Sequence, residues 1–271
     1  MERALIIGAS GWGREVLEQM RGDAGHGKDW LIGGFLDSRT NILDSYGVDT
    51  PIIGDPMNYL PQPDDVFVCA MGNPYDRHRY ALPILQKGGR FIPICTDVRL
   101  GRRVHFGQGC FFGLMVHSGP DVRIGDFVTI HAQSMLGHDV RIGDYVHVGA
   151  MAFMGGGVQI GDFVTVHPRA TLMPGVKVGD GAVIGAGAVV LKDVPAGATV
   201  FGNPAKIVFK KTYRQTDPCA RGCTPSITCR RRSLSVSSAK SSVGFGCLQG
   251  SRHCCGKTTA SSPARSRASP W

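Results

Sequence analysis

A six-residue beat runs from Val98 to Val200 and limits what this chain can fold into more than any other feature. Small apolar residues, mostly Val and Ala, recur at each sixth position. Two positions later stands another apolar residue, commonly followed by Gly, as in Ile124-Gly125, Ile142-Gly143, Ile160-Gly161, Val178-Gly179 and Ile184-Gly185. Of the 17 hexads that start between Val98 and Val194, 13 carry Gly at the fourth position. A helix needs apolar spacing near 3.6 and a free strand needs 2. A period of 6 with apolar positions 1 and 3 fits a short strand, a corner and another short strand. Such a unit buries its apolar side only by stacking on copies of itself. Three units close one triangular coil, so residues 18 apart stack, with neighbouring strands about 4.8 Å apart. Gly at the fourth position is expected to supply the backbone angles of the corner.

This is the hexapeptide repeat of the left-handed parallel β-helix. The segment IGDFVTIHAQSMLGHDVRIGDYVHVGA, the later PGVKVGDGAVIGAGAVVLKDVPAG and the closing VFGNPAK resemble the hexapeptide acyltransferases. With LIIGASGWGREV and GFLD nearer the N-terminus, the chain resembles the NeuD/PglD-like family of sugar O- and N-acetyltransferases over roughly residues 4–210. The expected architecture is an α/β N-terminal Rossmann-like subdomain, residues 1–95, that binds a sugar or nucleotide-sugar. A left-handed parallel β-helix acyltransferase domain follows at 96–210, and then a disordered basic Ser/Arg/Cys-rich tail at 211–271.

Charge is divided unevenly. The first 217 residues hold 21 basic and 21 acidic side chains, while the last 54 hold nine basic and none acidic. The net charge of +9 therefore belongs to the tail, and the folded part gives no reason to expect nucleic acid. Cys69, Cys95 and Cys110 lie in apolar strand contexts and read as buried thiols. The six tail cysteines match no paired CxxC zinc pattern. The apolar run Ala4–Ile7 is too short for a signal peptide, and nothing approaches the roughly 20 residues of a membrane span. The expected place is the cytoplasm, with no membrane insertion.

In the N-terminal part, strand-like Ala4–Ile7 runs into the turn Gly8-Ala9-Ser10-Gly11-Trp12-Gly13, and a helix is expected from Arg14. Leu31–Leu36 ends at Asp37, and Val66–Ala70 is followed by a turn and a helix, then Phe91–Ile94. This alternation argues for a small parallel sheet, which binds ligands at the carboxyl ends of its strands. The Gly-rich turn offers backbone N–H groups and a helix N-terminus there. Its spacing is not the GxGxxG dinucleotide fingerprint. In the family resembled, this turn and acidic corner hold the nucleotide-sugar, which implies Gly8, Ala9, Ser10, Gly11, Trp12 and Asp37. The chain departs from that family at Trp12, where His is common, and at Ser38, where some members carry a second acid. Asn73 and Arg77, after the third strand, read either as phosphate or sugar contacts or as a helix cap with a solvated Arg.

Acyl transfer from a thioester needs a base, an oxyanion donor and a slot for the pantetheine arm. His138 and Asp139 fall at hexad positions 5 and 6, an outward corner, where the carboxylate orients the imidazole. Eighteen residues on, one coil further, stands Gly156 between Gly155 and Gly157, so bare backbone N–H groups are expected beside His138. The family resemblance implies His138 as proton acceptor, His147 as an acetyl-CoA contact, Gly156 as a thioester-facing N–H, Pro168 and Ala186 along the CoA groove, and Lys206 near its adenine end. It implies acetyl-CoA as co-substrate with no metal required, and a homotrimer with the groove between neighbouring prisms.

Two other readings stand beside it. His131 and His167 lie two coils apart at hexad position 4, as the zinc ligands of a β-helix carbonic anhydrase do. The third ligand position of that site is Leu172 here, so a three-His zinc site fails. A non-catalytic sugar-nucleotide-binding scaffold would keep the prism, but would have no use for His138, Asp139 and Gly156 together.

Overall fold

A computed structural model describes residues 1–210 of the chain; the tail and its six cysteines lie outside the described residues. Strand β1, Glu2–Ile7, feeds through the glycine turn into helix α1, Gly11–Arg21. Strands β2, Trp30–Leu36, β3, Ile52–Gly54, and β4, Asp65–Cys69, follow; then come helix α2, Pro74–Gln86, and the short β5, Arg90–Phe91. All pairings are parallel, in the order β3-β2-β1-β4-β5. The strand order reverses beside β1, and the crevice at that switch point is where a doubly wound sheet takes its ligand. Helix α1 buries Val16, Leu17 and Met20 on one side, the i, i+1, i+4 stripe of an amphipathic helix. It begins at Gly11 rather than Arg14, so the glycine turn is its first turn. Strand β3, the three residues Ile-Ile-Gly, is too short for alternation to announce it. The strand expected at Phe91–Ile94 divides: β5 stays in this sheet, while Ile94–Cys95 pairs with Phe111–Phe112 as the first strand of the next.

From there the chain winds as a triangular prism of two-residue strands. The first face stacks Phe111–Phe112, Thr129–Ile130, His147–Val148, Thr165–Val166 and Val183–Ile184. The second stacks His117–Ser118, Met135–Leu136, Phe153–Met154, Thr171–Leu172 and Val189–Val190. The third stacks Arg123–Ile124, Arg141–Ile142, Gln159–Ile160 and Lys177–Val178. Hexad positions 1 and 3 fill the interior; Val122, Val128, Val140, Val146, Val158 and Val164 are each wholly buried. At about 1.5–3 kcal/mol for a fully buried Val, the stacking holds the prism, and no coil buries that surface alone.

Glycine at position 4 serves a purpose other than the expected one. Except at Gly197, by the closing corner, its φ is not positive; the left-handed residue is position 6, where Phe127, Asp139, Tyr145 and Phe163 have φ between 55° and 59°. Where Gly stands at position 4, the next coil passes close to it. A Cβ on Gly125 would stand 2.7 Å from the carbonyl carbon of Gly143. The Asp after many of these glycines forms a ladder along one edge. The N–H groups of Gln108, Asp126, Asp144 and Asp162 donate to the carboxylates of Asp126, Asp144, Asp162 and Asp180, at 2.8–3.0 Å. The 18-residue ruler also fails at the end. Val194 pairs with Val178 and Val200 with Ile184, a spacing of 16, because Leu191–Asp193 turns the corner two residues early. A hairpin, Ala198–Phe201 with Lys206–Lys210, closes the prism.

The N-terminal sheet and helices pack on the first face. Gln19 Nε2 donates to Phe112 O at 2.6 Å, and Tyr75 extends a stack of Phe127, Tyr145 and Phe163 rings. Arg77, wholly buried, joins α2 to the prism.

Candidate active site

The corner between the second and third faces carries His138 and Asp139. Asp139 Oδ2 lies 2.8 Å from His138 Nδ1, and both side chains are about two-thirds exposed. The carboxylate only accepts, so Nδ1 holds the proton and Nε2 presents its lone pair outward. One coil on, Gly156 lies under the ring. A Cβ there would stand 2.4 Å from His138 Nε2, so only Gly lets the imidazole lie where it does. In the glycine triplet, the Gly155 N–H donates to Leu172 O and the Gly157 N–H to His138 O, both at 2.8 Å. The N–H of Gly156 has no such backbone acceptor among the described residues. The corner thus sets a proton acceptor beside an unspent donor.

The other expected cofactor residues are not at this corner. Pro168 and Ala186 stack one coil apart on the corner between the first and second faces. His147 lies on the first face, turned toward the N-terminal domain. Lys206 opens the last strand of the closing hairpin and is exposed. Between the two corners the second face is open and apolar, with Met135, Met151 and Phe153 each 39–48 % exposed.

The glycine turn and Asp37 do come together at the switch point. Gly8 has φ +97° and donates to Leu36 O, and the Ala9 N–H donates to Asp37 Oδ2 at 2.9 Å. Ser10 stands at the N-cap of α1, though its hydroxyl makes no capping bond. Asp37 is also gripped by Arg39 through its backbone N–H, Nε and Nη2. Burial pushes the Asp37 carboxyl pKa up, but the Arg39 guanidinium and these N–H donors outweigh it and hold it below the usual range. Trp12 leaves the turn for the prism, with its ring 4.3 Å from that of His131 and edge-on to Phe111. Together with Gly11, Arg14, Leu114 and His131 it lines a cleft of about 720 Å³ between α1 and the first face. Three buried nitrogens here, Trp12 Nε1, Arg14 Nε and His131 Nε2, have no hydrogen-bond partner among the described residues. Asn73 caps α2, its side-chain oxygen accepting from Tyr75 and Asp76 N–H. Arg77 fits neither expected reading, being buried rather than solvated or turned to a ligand. Among the described residues no group of three or more His, Cys, Asp or Glu is placed to hold a metal.

Comparison with known proteins agrees with this layout. The PglD N-terminal domain model matches residues 3–82, and the bacterial transferase hexapeptide model matches 121–156 and 157–192. Both parts of the NeuD/PglD-like layout are thus matched, the PglD N-terminal domain first and the hexapeptide repeats after it. The acetyltransferase domain of PglB from Neisseria gonorrhoeae, solved with acetyl coenzyme A, is 27 % identical with a TM-score of 0.69, over 76 % of this chain and 99 % of that one. PerB from Caulobacter crescentus, solved with CoA and GDP-perosamine, is 26 % identical with a TM-score of 0.67, over 76 % and 97 %. WeeI from Acinetobacter baumannii, 24 % identical over 77 % of this chain and all of that one, has a TM-score of 0.60 and shares the fold. No curated protein sequence matches the chain.

Electrostatics divides the histidines of this acetyltransferase. Burial, with Arg77 adding to it, pulls His131 down to about 4. Burial, His131, Arg77 and His167 pull His147 down to about 3. Both are therefore neutral at pH 7. Each is ordinarily protonated below about 6.5 once unfolded, so the unfolded chain binds more protons as pH falls and stability drops with it. Urea midpoints should decline from pH 6.5 to about 4, at up to about 1.4 kcal/mol per pH unit for each His. A flat midpoint over that range would count against the buried neutral pair. Burial also pushes Cys69, Cys95 and Cys110 up to about 12, which disqualifies them as thiolate nucleophiles.

Sequence reasoning missed Arg77 as a bridge and Thr129 altogether. The ruler could have found Thr129, one coil before His147. No periodicity marks Arg77, because three of its five acceptors, Phe127 O, Val146 O and Thr129 Oγ1, belong to the other domain.

Proposed function

We propose that the protein transfers the acetyl group of acetyl-CoA directly to an amine or hydroxyl of a sugar or nucleotide-sugar, with His138 as general base. The observation that carries this reading is the corner where the His138 ring, oriented by Asp139, lies against Gly156, whose N–H donates to no backbone carbonyl among the described residues. His138 takes the proton as the nucleophile forms its bond to the acyl carbon. The Gly156 N–H receives the developing oxyanion. Collapse breaks the C–S bond, and the CoA thiolate leaves and is protonated to the thiol. PglB solved with acetyl coenzyme A and PerB solved with CoA and GDP-perosamine support both substrate classes. The switch-point turn with Asp37 and the cleft beside Trp12 form the acceptor side of this reading.

The homotrimer belongs to the same reading. The open second face is apolar and flanked by His138 on one corner and Pro168 with Ala186 on the other; such a face calls for a cover. Three prisms meeting there would bring the separated residues to one groove. Free buried thiols and cytosolic co-substrates favour the cytoplasm.

Full-length protein incubated with acetyl-CoA and a panel of amino and hydroxyl nucleotide-sugars should release free thiol and yield a product heavier by one acetyl group. Light scattering should give three times the chain mass. Thiol release no faster than buffer with every sugar, or a monomer with full activity, would overturn the respective claim.

A further inference from the structure

Arg77 is a cation buried without a carboxylate. Its five N–H groups are all spent: Nε on Met71 O at 3.0 Å, Nη1 on Phe127 O at 2.6 Å and Val146 O at 3.1 Å, and Nη2 on Gly72 O at 3.2 Å and Thr129 Oγ1 at 3.0 Å. Four of these acceptors are backbone carbonyls. The fifth is a hydroxyl that is itself 3.0 Å from Nδ1 of His147. Guanidinium only donates, so Thr129 Oγ1 must accept from it. The Thr129 hydrogen then needs an acceptor, and His147 Nδ1 is the one its hydrogen bonds provide. The opposite arrangement would set two donors on Oγ1 and leave its own hydrogen without a partner in a site only 1 % exposed.

We propose that Arg77, acting through the Thr129 hydroxyl, fixes His147 as the neutral tautomer with its proton on Nε2, and that both are positioning residues for acetyl transfer. The charge of Arg77 and the burial of the ring work the same way, since each disfavours imidazolium. The groups that face the ring from the elements around it are Arg77 of α2, Thr129 and His131 from the coil before, and Thr165 and His167 from the coil after. None is a carboxylate, so nothing nearby restores its basicity. The two histidines are thereby divided in role. His138 keeps a free lone pair to take a proton, and His147 keeps a fixed N–H to give a hydrogen bond to an oxygen of the donor or the acceptor. A single turn of sequence from α2 thus sets the chemistry of a residue on the prism.

The inference rests on the acetyl-transfer reading for its consequence but not for its first measurement. In a two-bond proton–nitrogen spectrum of labelled full-length protein, His147 should give one neutral tautomer with unprotonated Nδ1 throughout the neutral range. Thr129→Val keeps the shape and removes the relay. It should give mixed tautomers and about a tenfold lower kcat, the worth of one hydrogen bond, with KM for acetyl-CoA within about twofold. Thr129→Ser should restore both. A wild-type Nδ1–H tautomer, or a folded Thr129→Val with unchanged kcat, would overturn the proposal. Should Thr129→Val not fold, the wild-type spectrum decides. Should wild type acetylate no sugar, the functional reading falls while the tautomer result stands on its own.

Discussion

His138→Ala should lower kcat about a thousandfold while leaving KM for acetyl-CoA nearly unchanged, as expected when a general base is removed. The imidazole is exposed on a corner and makes its one side-chain hydrogen bond to Asp139, so its loss costs the fold little. Any stability change should fall within about 0.5 kcal/mol, the range of surface substitutions. The kinetic loss would therefore be chemical. Asp139→Asn is the graded companion. Asp139 has φ 59°, a conformation Asn adopts readily, so the backbone should hold while the amide orients the ring poorly. A variant that keeps kcat within a few-fold of wild type would remove His138 from the mechanism.

Much of this site was legible because the repeat turns sequence distance into spatial distance. Counting one coil from His138 reaches Gly156, and the two do touch. The same count mistook the reason for glycine. Left-handed φ lies at position 6, and the sequence carried that signal. From Arg103 to Gly187 that position holds Asp, Arg, Met, Gln, aromatic residues or Gly, and no Val, Ile or Thr, whose branched side chains the conformation rejects. The closing corner was out of reach, since Val194 and Val200 keep the beat in sequence while taking position 3 places in space. Trp12 shows a different limit. It was read with the sugar turn, and its place in the chain is there, but its ring serves the cleft wall on His131. Contacts between the two domains follow no period, so nothing in the spacing joins residue 12 to 131 or 77 to 129.

Arg77→Ala should destabilise the protein by about 4 kcal/mol, read as a lower urea midpoint of the cooperative transition. Removing the guanidinium leaves Phe127 O and Met71 O without their donor, and Phe127 is itself 1 % exposed. Each buried acceptor left unpaired costs about 1–3 kcal/mol. Val146 O keeps the Thr129 N–H, and Thr129 Oγ1 keeps His147, so those two lose less. A void the size of an Arg side chain adds to the loss. Opposing this, the folded state no longer holds a desolvated charge, which burial already disfavours enough to pull the Arg77 pKa down to about 10. Arg77→Met separates these contributions. It fills most of the space and discards the charge, so it should cost about 2 kcal/mol, chiefly the orphaned carbonyls. Equal stability of Arg77→Met and wild type would mean that the hydrogen bonds only repay the burial of the cation. The residue would then be there for His147 rather than for the fold.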